Sequence, residues 1–199
     1  MALKLSGKSS GGSSSVKHLP KEGARPARLI SVYDLGVHKC SYKGEAKPDA
    51  QLVVLEYDLV DDLADFGGDD LQPIRINTGW YFPLKVSYDK KGGLNDKSNL
   101  YKHTSALDPT NSWDGDLSAL VNNPCIITVK LNTKGDNTYA NIGGISPIPD
   151  MEGFSIKETP NTPYIFDYDT HTKEEWDALP EFMQNKIAEA IDFDENRFD

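Results

Sequence analysis

Alternation over Leu52–Leu59 puts Val53, Leu55, Tyr57 and Leu59 on one face and Val54, Glu56 and Asp58 on the other, the pattern of a half-buried strand. Four more extended segments surround it. Ala27–Leu35 mixes β-branched and aromatic residues and is expected to end at Gly36. Ile74–Val86 is interrupted by Gly79 and Pro83, which favours a bulge or a sheet edge. Cys125–Leu131 turns Ile127, Val129 and Leu131 inward. Thr133–Thr138 then reads as a hairpin turn into a last strand, Tyr139–Ile145, closed by Pro147 and Pro149. Ser98–Leu107 and Gly115–Val121 have helical character and are separated by Pro109, while Asp61–Asp70 is an acidic, Gly-punctuated loop.

Five short strands with helical material between the third and fourth follow the order of an OB-fold, a five-stranded Greek-key barrel. The expected class is therefore mainly β, an OB-fold barrel with short helices over residues 18–149. Ahead of it, Met1–Lys17 reads as a flexible arm, because Ser6–Ser15 contains only Ser, Gly and one Lys. Behind it, residues 150–199 read as an acidic, partly helical tail. Glu158–Pro163 has linker composition, Thr172 and Glu175 have the spacing of a capping box, and Pro180 opens a second helix. The apolar stripe of that helix is Phe182, Met183, Ile187, Ala190 and Ile191.

Charge sharpens this division. Asp150–Asp199 holds 14 acidic and 4 basic residues and so carries the whole net charge of −10, whereas Met1–Pro149 is balanced with 17 of each. Phosphate affinity comes from Lys and Arg displacing counterions, so an acidic appendage leaves the front region free to bind a polyanion. Two cysteines, Cys40 and Cys125, make no disulfide framework. The scattered His18, His38, His103 and His171 make no zinc pattern. No cofactor or metal is expected. Gly7-Lys8-Ser9 imitates the end of a phosphate loop but lacks its first glycine and preceding strand. With no apolar run of about 18 residues and no basic-then-apolar start, neither a membrane partner nor secretion is expected.

The richest chemistry lies in the middle. Asn77–Tyr88 interleaves Trp80, Tyr81, Phe82 and Tyr88 with Lys85; Lys90, Lys91, Lys97, Lys102 and His103 follow, with Tyr101 beside Lys102. Unpaired bases expose faces that stack on aromatic rings for ~1–3 kcal/mol each, and lysines track the phosphates. Any one of these aromatics is better explained by core or rim packing than by base stacking, and the lysine cluster by a solvated loop; only their combination carries the reading. Strand parity puts Trp80 and Phe82 on one face and Tyr81 on the other, so one set should be buried. A second basic region contains Lys17, Lys21, Arg25, Arg28, Lys39, Lys43 and Lys47, with Tyr42-Lys43-Gly44 in the turn between the first two strands. In an OB-fold that turn borders the ligand face. The expected binding set is Lys39, Lys43, Lys85, Lys90, Lys91, Lys97 and Lys102 for the field, and Tyr42, Trp80, Tyr81, Tyr88 and Tyr101 for stacking.

Catalytic motifs are missing, so a non-enzyme is expected. Three rivals stand beside single-strand binding. One is a virion or assembly interaction protein without DNA binding. Another is a metal-dependent nuclease using Asp61, Asp62, Asp69 and Asp70. The third is a polyanion mimic.

Arg28–Gly36, then Tyr42–Gly44, Leu55–Leu59, Lys97–Leu100, Asn123–Val129, Tyr139–Ile142 and Ile145–Pro149 form an ordered set. In order and spacing it resembles bacteriophage single-stranded DNA-binding proteins of the OB-fold type. The basic helical stretch after Lys97–Leu100 is shorter than in that family, and the Asp61–Asp70 insert is more acidic. The resemblance implies non-catalytic binding of single-stranded DNA in phage replication and recombination, in the cytoplasm of an infected bacterial cell. It also implies a partner-binding acidic tail, onto which Asp192, Phe193, Asp194, Glu195, Phe198 and Asp199 map. Tethered near a cationic groove, such a tail would compete with DNA and, once expelled, recruit replication or recombination proteins.

Overall fold

The computed structural model describes residues 18–151 and 155–194. Two long strands dominate it, β1 (Gly23–Tyr42) and β2 (Glu45–Ala64), joined at Lys43-Gly44. Both turn residues have positive φ, 52° and 82°, the twist that a two-residue hairpin needs. Gly36 does not end the first strand as expected. It lies in a bulge between Asp34 and Val37 at φ 79°, its N–H held by Asp34 Oδ1 at 2.9 Å. Along β1, Gly23–Arg28 pair with β5 (Pro124–Lys134) on one side while Ala27–Tyr42 pair with β2 on the other.

β3 (Gln72–Asn77) and the two-residue β4 (Leu84–Lys85) both lie against β2, and β6 (Asn137–Ser146) lies against β5. The antiparallel path β3-β2-β1-β5-β6 curls into a nearly closed, five-stranded barrel, consistent with an OB-like one. Its ends β3 and β6 come close without pairing, leaving a seam of about 300 Å³ lined by Ile76, Thr78, Tyr139 and Ile142. Leu29, Val53, Leu55, Tyr57, Leu59, Cys125, Ile127 and Val129 fill the interior, the inward parity expected for the second and fourth strands. One end is plugged by α1 (Asn99–Leu107), which buries Leu100, His103, Thr104, Ala106 and Leu107 and is capped by Ser98. A 3-10 helix at Leu117–Leu120 adds Leu120.

The C-terminal region departs most from expectation. Residues 155–194 pack on the barrel. β7 (Tyr164–Phe166) pairs in parallel with Ser31–Tyr33. The capping box forms at Thr172 and Glu175 and starts α2 (Lys173–Ala178), and α3 (Glu181–Ile187) follows Pro180. Phe166, Tyr168, Leu179, Met183, Ile187 and Ala190 bury a second core against Leu35, Leu52 and Val54, on the outer face of β1 and β2. Every residue from Leu52 to Val60 is consequently buried, although half of them belong to the face expected outside. Gly36 is the socket of this packing: a Cβ there would lie 2.7 Å from the Tyr168 ring.

Glu158–Pro163, read above as a linker, is a polar clasp. Buried Arg28 donates from Nε to Lys157 O (2.7 Å), from Nη1 to Asn122 O (2.7 Å), and from Nη2 to Ile156 O and Glu158 Oε1 (both 2.8 Å). Thr159 Oγ1 and Asn161 Nδ2 donate to Asp58 Oδ2, while Arg75 Nε lies 3.3 Å from its other oxygen. A buried carboxylate and a buried guanidinium are tolerated because each is met by fixed polar partners.

Two expected outcomes follow. Arg28→Leu strips three main-chain carbonyls of their donor, at ~1–3 kcal/mol for each group left without water. Urea unfolding should show a loss of about 3 kcal/mol or more in total. His103, counted above with the basic cluster, instead faces inward, its Nδ1 2.8 Å from the Tyr57 hydroxyl; burial, with Lys102 adding repulsion, lowers its pKa from 6.5 to about 4. As pH falls below 6.5 the unfolded chain takes up a proton that the folded one refuses, so stability declines until about pH 4 and then levels. That decline is worth roughly 3 kcal/mol, and His103→Asn should remove it from the unfolding free energies measured across this pH range.

Candidate nucleic-acid interface

Sequence parity fails between β3 and β4 because the chain leaves the sheet there. Thr78 keeps one tie to β2, its N–H donating to Leu55 O and its Oγ1 accepting from Leu55 N, both at 3.0 Å. Asn77 Oδ1 then accepts from the Gly79 N–H at 2.9 Å, and Gly79 adopts φ 111°, a conformation suited to glycine. Trp80 turns back under the C-terminal helices, edge-on to Tyr33 (5.1 Å) and Phe182 (5.7 Å). Tyr81 and Phe82 both face outward, 80% and 87% exposed. Phe82 was expected to share Trp80's face; without a continuous strand, that inference has no physical basis.

These two rings stand beside an open cleft of about 670 Å³. Lys39 and Ser41 of β1 line it, with Lys85 of β4, Ser98 and Asn99 at the start of α1, and Lys186 of α3. The floor is apolar, from Leu52, Pro83 and Leu84. Of the expected binding residues, Lys39, Tyr81 and Lys85 meet here. Phe82 and Lys186 join them without having been foreseen. Phe82 was legible as part of the aromatic run, whereas nothing local marks Lys186, which lies more than a hundred residues along the chain from Lys85.

The other expected residues are spread around this centre. Tyr42 and Lys43 occupy the exposed hairpin tip, with Lys43 Nζ 5.4 Å over the Tyr42 ring. Asp89 Oδ1 accepts from the N–H groups of Lys91 (2.7 Å) and Gly93 (3.1 Å), which fixes Lys90 and Lys91 at the tip of a tight turn. Tyr88 pairs across that turn with Leu94 and lines a different cleft, rimmed by Asp34, Asp114, Asp116 and Asp167. Lys97 sits just before α1. Tyr101 is exposed on its first turn, and Lys102 Nζ donates to Asn99 Oδ1 at 3.1 Å.

The acids considered for a nuclease do not converge. Asp61 pairs with Lys157 at 3.0 Å, Asp62 is buried 3.6 Å from Arg25, and Asp69 and Asp70 lie in an exposed turn. Among the described residues, no three His, Cys, Asp or Glu side chains gather as a metal centre. Both cysteines are buried, and burial pushes the Cys125 thiol up to about 12, far from a working nucleophile. At the C-terminus, Phe193 packs on Trp176 at 5.5 Å as part of the second core, with Asp192 and Asp194 exposed beside it. Glu195, Phe198 and Asp199 lie outside the described residues. No helix among the described residues is long and apolar enough to cross a membrane. No protein-family model matches the chain, and neither the curated proteins nor the solved structures contain a match.

Proposed function

We propose that this chain is an OB-fold protein that binds single-stranded DNA without sequence preference. In the setting its resemblance implies, it serves phage replication and recombination in the cytoplasm of an infected cell. One observation carries the reading: two almost fully exposed aromatic rings, Tyr81 and Phe82, border a cleft whose walls carry Lys39 and Lys85. Exposed aromatic faces cost solvation and are kept where they have a use. Stacked bases would meet the rings and the phosphates would run along the lysines. Duplex DNA offers no such faces, so the chemistry selects unpaired strands. The strand order β3-β2-β1-β5-β6 supports the OB-fold assignment, and the basic tips at Lys43 and at Lys90-Lys91 extend the positive field beyond the cleft. The protein has no catalytic role in this reading. Recruitment of replication or recombination proteins, and competition with DNA, fall to the last residues of the chain, because Phe193 is already engaged by Trp176 in the second core.

Fluorescence anisotropy of a labelled thymidine homopolymer tests the reading. If about four to six phosphates are neutralised, log K should fall against log salt with a slope near −3 to −4. Tyr81→Ala with Phe82→Ala should raise Kd by about tenfold or more, since each stacked base is worth ~1–3 kcal/mol, without lowering the melting temperature. Absence of binding by the full chain in dilute buffer overturns the proposal.

A further inference from the structure

We infer that Lys186, a cation of the acidic C-terminal segment, is a phosphate-binding residue of the Lys39–Lys85 cleft and is held in reserve by Glu189. This rests on the single-strand-binding reading and deepens it. The anionic segment then forms one wall of the binding site.

Three observations carry the inference. First, α3 is held in place by burial: Met183 and Ile187, four residues apart on one face, are 2% and 0% exposed in the second core. Lys186, adjacent to Ile187, therefore stands on a rigid support at the edge of the buried face. Second, among the described residues of the segment only Lys186 of its three lysines lines the cleft. Lys157 reaches Asp61 on β2, and Lys173 pairs with Asp177 on α2. Third, Lys186 Nζ donates to Glu189 Oε2 at 2.7 Å, and that carboxylate side chain is 64% exposed. A solvated pair between the last turn of α3 and the turn that follows it is weak. An incoming phosphate, which is strongly charged and brings several acceptors, can take the ammonium from it.

The arrangement also removes a conflict. A segment whose described residues, 155–194, carry 10 acidic and 3 basic side chains should repel DNA from a site it packs against, yet among the residues lining the cleft its contribution is Lys186, while Glu174, Glu175 and Asp177 belong to α2. Opening the Lys186–Glu189 pair turns the ammonium to a phosphate only when a strand is present and leaves the Glu189 carboxylate to solvent. Lysine in the closed pair adds little to the resting field.

Anisotropy titrations of the full-length chain with a labelled thymidine homopolymer test this at several salt concentrations. Lys186→Ala should weaken binding about three- to tenfold at low salt and flatten the log–log salt slope by about 0.7, the loss of one phosphate contact. Glu189→Gln should tighten binding about two- to threefold by freeing the ammonium. Lys173→Ala, outside the cleft, should leave both affinity and slope unchanged. Melting temperatures of the three variants report whether α3 stays docked, and Glu189→Gln retains the whole apolar face. Wild-type affinity and slope in both Lys186→Ala and Glu189→Gln, with the unaltered protein binding normally, overturn the inference and leave the parent reading standing. Failure of the unaltered protein to bind overturns both.

Discussion

The guanidinium of Arg28 holds together two parts of the chain that would otherwise have little reason to meet. It sits on the outer face of β1, where the barrel would normally end in water, and its donors reach main-chain carbonyls from the loop before β5 and from the returning C-terminal chain. Carbonyl oxygens of an irregular segment cannot be buried without donors, and a planar group with five N–H bonds supplies several at once. Asp58 completes the arrangement from β2 by accepting from Thr159 and Asn161. Between them, a cation and an anion on neighbouring strands fix a stretch with no regular structure of its own.

Beyond the clasp, apolar packing takes over. β1 and β2 bear one core on each face. The inner one is built from side chains of the barrel, and the outer one from β7, the two short helices and the strands beneath them. A helix of six or seven residues is not stable alone, so α2 and α3 exist because their apolar sides are covered. Glu174, Asp177, Glu181 and Glu189 lie exposed in water, where their mutual repulsion is screened. This explains how a highly anionic segment can be an integral layer of the fold. The same packing sets the working surface, since α3 carries Lys186 to the cleft and Phe182 to the edge of Trp80.

Much of the barrel was legible in the sequence because its signals are local. Alternation in Leu52–Leu59, the inward set of the fourth strand, the helical character of Ser98–Leu107 and the Thr172–Glu175 capping box each depend on residues within one turn or one pleat. What could not be read is long-range. Val54 looks like a solvent-facing position until Phe166 and its neighbours arrive from more than a hundred residues away. Gly36 looks like a stop because its role, making room for Tyr168, is set by that same arrival. The binding cleft was half legible. Lys85 and Tyr81 announced themselves by composition, whereas Phe82 was misplaced by a period-two rule applied across Asn77–Pro83, where side-chain and glycine geometry take the backbone out of the sheet.

The seam between β3 and β6 gives the barrel a directional softness. Everywhere else around its girth, widening would break ladder hydrogen bonds; along this meridian only side chains such as Ile76 and Ile142 must part. The β1–β2 hairpin stands as the hydrogen-bonded back opposite this slit. β3 leads directly into Thr78–Pro83, so Tyr81 and Phe82 are carried by the chain that leaves the barrel at its unlatched margin.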